Sequence, residues 1–198
     1  MGSQYAERLR GLALSLAMLA ASLSGGAISA VSAEDAATPS PRALEALQLA
    51  ASEDPYQRQT GFLRLEALRE PATVALIRPY ADDRDGRTRA YCLRALAAIQ
   101  GAAAVPLLLE RLRTEQDPLV RRAALLGLEP WQRANPEVLP AFIKALKDRN
   151  TAVRMTAVDL VSRVDDPRAR AAILLRYKRE HRRDVQRVLK AALRRLKG

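Results

Sequence analysis

One cysteine and one histidine in 198 residues leave little material for covalent or metal chemistry. Cys92 has no second thiol to pair with, so stability must come from packing rather than from a disulfide framework. It stands among small residues and reads as a small buried hydrophobe rather than a reactive thiol. His181 lies among arginines and reads as a solvated or capping side chain. These two residues supply no zinc ligand set and no Cys–His or Ser–His–Asp arrangement. No glycine-rich phosphate loop occurs either, since Gly25 and Gly26 fall inside an N-terminal leader. The acid pairs Asp82–Asp83 and Asp165–Asp166 sit at expected turns, where capping and solvation are their ordinary roles. Aromatic residues make up only 4% of a chain that is 48% apolar and rich in alanine and leucine. No stretch alternates with period two over a useful length, which excludes a sheet and points to stacked helices. No catalytic residue, metal site or cofactor is therefore expected.

The leader has three parts. Arg8 and Arg10 precede an apolar run over residues 12–23, and small residues Val31, Ser32 and Ala33 lead into the acidic pair Glu34–Asp35. This is the pattern of a secretory signal peptide, with cleavage expected after Ala33, or failing that after Ala30. An uncleaved anchor is the alternative, but the run is shorter than the ~20 residues a spanning helix needs. No cysteine lies near the site, so a lipid anchor is not expected. The expected organisation is a signal peptide over 1–33, a polar linker over 34–40 and one domain over 41–198.

Within that domain one stretch is written several times. Residues 117–128, Asp-Pro-Leu-Val-Arg-Arg-Ala-Ala-Leu-Leu-Gly-Leu, share their grammar with 85–96, 150–161 and, more loosely, 54–65. With the arginine as register mark, Arg58, Arg89, Arg121 and Arg154 are separated by 31, 32 and 33 residues, and a degraded fifth copy places Gln186 a further 32 on. Each copy reads as the start of a helix. Asp54, Asp85, Asp117 and Asn150 stand four residues before the marker, where an N-cap accepts from first-turn N–H groups. Pro55 and Pro118 follow at the position where a missing N–H costs nothing. Two roles compete for the arginine ladder, anion binding and bracing. An acid or amide cap at a constant offset favours bracing, to that cap or to an acid of the neighbouring repeat.

Behind the marker the columns sort by size. Gly61, Cys92, Ala124 and Ala157 are small, whereas Leu65, Leu96, Leu128, Val161 and Leu193 are aliphatic. Small residues allow close helix approach and aliphatic ones fill the space between layers. Second helices are expected around 74–77, 105–109, 139–143 and 172–175, with an N-terminal capping helix over 41–52. Trp131, in the longest repeat spacing, is expected to plug the gap beneath an expanded loop rather than to form a hot spot.

A pattern D-x-x-V-R-x-x-A-x-x-x-L, followed by a turn and an aliphatic helix every thirty-odd residues, resembles the HEAT repeat. It is most similar to the short form named after phycobilisome lyases. The likeness is best from Asp117 and Asn150 and weakest at Asp54, where Gln57 replaces the valine. It implies an all-α, right-handed α-solenoid of about five helical hairpins whose motif helices line a concave side. It implies an interaction surface rather than an activity. Bilin lyases and DNA glycosylases also use such repeats, but both work inside the cell, and the leader argues against them.

Two binding surfaces are expected. Residues 163–198 carry thirteen arginines and lysines against four acids, a net +9 of the chain's +11. Arg183, Arg187, Lys190, Arg194 and Lys197 fall on one stripe of the last helix, opposite Val185, Leu189, Ala192 and Leu196. One-signed charge attracts anions, although a terminal repeat also needs a polar outer face. The resemblance implies a second surface, a groove on the concave side that Gln59, Tyr91, Arg94, Arg122, Leu126, Met155 and Asp159 face. A protein partner is expected. An anionic membrane or envelope polysaccharide is the alternative, and the export signal argues against nucleic acid. The reading is a periplasmic or secreted adaptor that binds without turnover.

Overall fold

The structure is a computed structural model that describes residues 38–196. The leader over 1–33 and Lys197 lie outside the described residues. Among those described there is no strand, and the chain is a succession of helices.

Each motif helix begins where a short polar side chain closes its first turn. Ser40 caps α1 (Pro41–Ala50), and Asp54 accepts from Tyr56 N–H at the start of α2 (Pro55–Leu68). Asp85 caps α4 (Gly86–Gln100), Asp117 caps α6 (Pro118–Leu128) and Asn150 caps α8 (Thr151–Val161). Pro55 and Pro118 occupy the first helical position, as their lack of a donor favours. The second helices are α3 (Val74–Ile77), α5 (Val105–Thr114), α7 (Val138–Ala145) and α9 (Pro167–Arg179). α3 is the shortest of them. Pro71 and Pro79 each remove a donor, and the chain on either side of α3 tightens into 3-10 turns. Gly101, at φ +56°, turns the chain between α4 and α5 in a conformation that favours glycine.

The motif helices α2, α4, α6, α8 and the final helix α10 (Arg183–Arg195) pack each on the next in chain order, and the second helices lie behind them. The result is an all-α solenoid. Among the described residues four whole hairpins stand between α1 and α10, each a single helix.

The size columns explain the close stacking. A Cβ on Gly61 would come 2.2 Å from the Ala50 nitrogen, so only glycine lets α1 lie this close to α2. Cys92, Ala124 and Ala157 are fully buried at the same register in later repeats. Leu65, Leu96, Leu128 and Val161 are buried between layers, each contributing about 1.5–3 kcal/mol of transfer free energy. The single helix α10 differs, with the large Leu189 at the small position, because no following motif helix among the described residues presses on it. Trp131 packs against the core and over Gly101, its Cζ2 3.4 Å from where a Cβ would stand.

Candidate functional site

The arginine ladder is bracing at three of its four rungs, with a partner other than the cap. Arg89 places Nε and Nη2 on the two Glu115 oxygens at 3.0 and 2.8 Å. Arg121 does the same with Asp148, both contacts at 2.7 Å. Arg154 reaches Glu180 through Nε at 3.1 Å. In each case the third nitrogen, Nη1, turns back to the two carbonyls five and six residues upstream, such as Gln116 and Glu115 for Arg121. One guanidinium thus ties the turn entering its own helix to the turn entering the next. The caps themselves are occupied by helix N–H groups, so of the two expected partners it is an acid of the neighbouring repeat, two residues before the next cap, that takes the arginine. That acid also accepts from the N–H of the capping residue, as Glu115 does from Asp117 and Asp148 from Asn150.

These pairs are largely out of water, with Arg121 5% and Arg154 8% exposed. Burial pushes the carboxyls of Glu115, Asp148 and Glu180 up, but hydrogen bonds from arginine and backbone N–H groups outweigh it. Glu115 and Asp148 end below the ordinary carboxylate range, and Glu180, bonded by Arg176 as well as Arg154, falls to about 2. Gln186, the fifth marker, keeps only the backward contact, donating to the Glu180 carbonyl. Its neutral amide suits a position with no following acid among the described residues.

Arg58 departs from this scheme. Its Nη1 donates to the Thr88 hydroxyl at 3.1 Å, while Nε and Nη2 bond the Ser52 and Glu53 carbonyls. Asp83, the register equivalent of Glu115, accepts from Asp85 N–H at 2.8 Å and forms no ion pair with Arg58.

On α10 four members of the expected stripe are described, and Leu196 of the opposite face is half-buried. Arg183, Arg187, Lys190 and Arg194 are exposed, while Val185, Leu189 and Ala192 are buried beneath them. None of these four cations has an ion-pair or hydrogen-bond partner among the described residues, unlike their neighbours Arg182 and Arg195, which pair with Asp184 and Asp159. Lys197, the fifth member, lies outside the described residues.

The motif-helix row presents the other candidates, but several are already engaged. Arg94 pairs with Glu66 of the preceding helix at 3.0 Å and stands 6.0 Å from the Tyr91 ring. Asp159 holds Arg163 and Arg195. Arg122 and Leu126 are exposed, and Gln59, Tyr91 and Met155 are half-buried. Ion pairs Arg64–Glu45 and Arg163–Glu129 further stitch neighbouring units. The row is therefore partly a zipper between repeats, which cap and column spacing did not reveal.

The remaining chemical candidates have structural duties. Cys92 donates to the Ile77 carbonyl at 3.2 Å, and burial pushes its thiol well above the usual range. Asp82 pairs with Arg111, and Asp166 caps α9 while bonding Arg168. Among the described residues no group of three His, Cys, Asp or Glu could hold a metal ion. Residues 40–129 and 117–194 match the family model for HEAT repeats. No curated protein matches the chain.

Proposed function

The chain belongs to the HEAT-repeat family, and from that premise we propose that it is an exported, non-catalytic adaptor holding an anionic protein partner against its last helix. Solenoids of this kind offer extended surfaces for protein partners. The observation that carries the reading is the contrast in how cations are used. Inside the stack Arg89, Arg121 and Arg154 are spent on carboxylates, whereas Arg183, Arg187, Lys190 and Arg194 face solvent with no partner among the described residues. A cap helix needing only solubility could mix lysine with glutamate, and an uncompensated stripe instead sets up a field for anions.

Heparin and vesicles containing anionic lipid serve as probes beside an acidic protein such as a polyglutamate-tagged carrier. Binding to the carrier should fall steeply as salt rises, because exposed charges are screened over about 8 Å at physiological ionic strength. The double variant Arg187→Glu, Lys190→Glu should abolish it while shifting stability by only about 0.5 kcal/mol, as surface changes do. Salt-insensitive binding, or unchanged binding by the variant, rejects the reading. Preference for vesicles or heparin over the carrier replaces the protein partner by a lipid or polysaccharide surface. Export is supported by the leader pattern over 1–33 and is checked by N-terminal sequencing of the mature chain, expected to begin at Glu34.

A further inference from the structure

We infer that the cleft between α2 and α4 binds the carboxylate side chain of an acidic peptide, beside the one marker arginine of the four that pairs with no carboxylate among the described residues. The cleft is about 150 Å³. That is room for one short side chain. Arg58 lies in its wall and Phe62 closes its floor, buried against the Tyr80 ring at 5.4 Å in an edge-on arrangement.

The case rests on donors and charge. A guanidinium carries five N–H donors, and Arg58 commits three, two to carbonyls and one to a hydroxyl. Its contacts are all neutral, whereas the three later markers each meet a carboxylate. Arg87 lines the same cleft and has no ion-pair or hydrogen-bond partner among the described residues. The one acid in the lining, Asp85, is tied to Thr88, whose backbone N–H and hydroxyl both donate to its Oδ2. Two cations thus face one committed carboxylate. Planar, bidentate recognition of a carboxylate is what an arginine with free donors does best. The sides of the cleft favour a peptide over a bare anion. Tyr56 is 80% exposed and Tyr91 half-buried. Such rings offer an apolar body to a side-chain stem and a polar tip to a backbone.

This inference is independent of the basic stripe on α10, which lies at the other end of the stack. The test is a titration of the full mature chain with a capped Ala-Glu-Leu-Ala peptide, followed by NMR. Saturable shifts are expected at the Arg58 Nη–H groups and at the Thr88 and Tyr91 amides. The matching glutamine peptide should bind at least tenfold more weakly. Arg58→Lys keeps the charge but loses the fork and should cost about tenfold. Tyr56→Ala and Arg87→Ala, both at exposed positions that leave the fold intact, should each cost at least threefold. Three results would overturn the proposal: equal binding of the glutamine peptide, equal shifts from inorganic phosphate alone, or shifts confined to α10.

Discussion

The first joint of the stack and the later ones are built from the same register but held differently. At the joints crossed by Arg89, Arg121 and Arg154, a charged fork grips the following unit's acid and two upstream carbonyls. At the first, Arg58 grips a neutral hydroxyl and two upstream carbonyls. Ahead of it, where α1 meets α2, closeness does the work: Gly61 lets α1 settle onto α2, and Glu70 accepts from the N–H and hydroxyl of Ser40 at the start of α1. A repeated sequence position therefore sets where a side chain stands. What it grips depends on the residue one period away.

The largest difference should appear when the arginines are removed. Arg121→Ala leaves the Asp148 carboxylate with its burial and without its counter-charge, a loss of about 3–5 kcal/mol. Arg58→Ala forfeits hydrogen bonds to neutral groups and should cost only about 1–3 kcal/mol. Urea unfolding of both variants measures the gap, and equal losses would remove the distinction.

Acid should weaken the later joints. A carboxyl whose folded pKa is depressed lends stability above its unfolded pKa and withdraws it as pH falls. For Glu180 that stability is present above about pH 4.5 and is lost between there and about pH 2. Glu115 and Asp148 act in the same direction. Glu180→Gln should lower stability at neutral pH and flatten the acid limb of a thermal-melt series. An unchanged limb would mean that other groups govern it.

Gly61→Ala probes the opposite mechanism. Its added methyl meets the Ala50 backbone rather than a flexible side-chain end, so a loss of about 1–3 kcal/mol is expected from overpacking. Hydrogen exchange should show the extra opening confined to α1 and α2. The smallest effect belongs to Asp83→Glu, which lengthens the acid at the first joint to match Glu115. A gain of up to about 1 kcal/mol in urea unfolding is expected, and no gain would mean that the longer acid does not reach Arg58.

Much of this was legible in residue order. The caps Asp54, Asp85, Asp117 and Asn150, the small and aliphatic columns and the basic stripe all follow from local geometry, in which a residue's offset decides its face. The arginines' partners were harder to see, because attention to the cap hides the acid two places before it. The signal was present nonetheless: Asp83, Glu115, Asp148 and Glu180 recur at 32, 33 and 32 residues. That Asp83 fails to engage Arg58 had no such signal, since it turns on a side-chain direction. The pairs Arg94–Glu66 and Arg163–Glu129 depend on how far one helix is staggered past the next, which repeat spacing alone does not specify.

The backward-and-forward grip of each arginine makes the molecule dependent on its own tail. Cutting the chain after Ser162 would remove Glu180 and leave the Arg154 guanidinium with only its backward contacts, so a shortened version cannot simply be the parent minus one layer. The final segment acts as a keystone for the unit ahead of it. Lengthening the molecule would likewise call for an arginine at 186 and an acid beyond it before another layer could lock on.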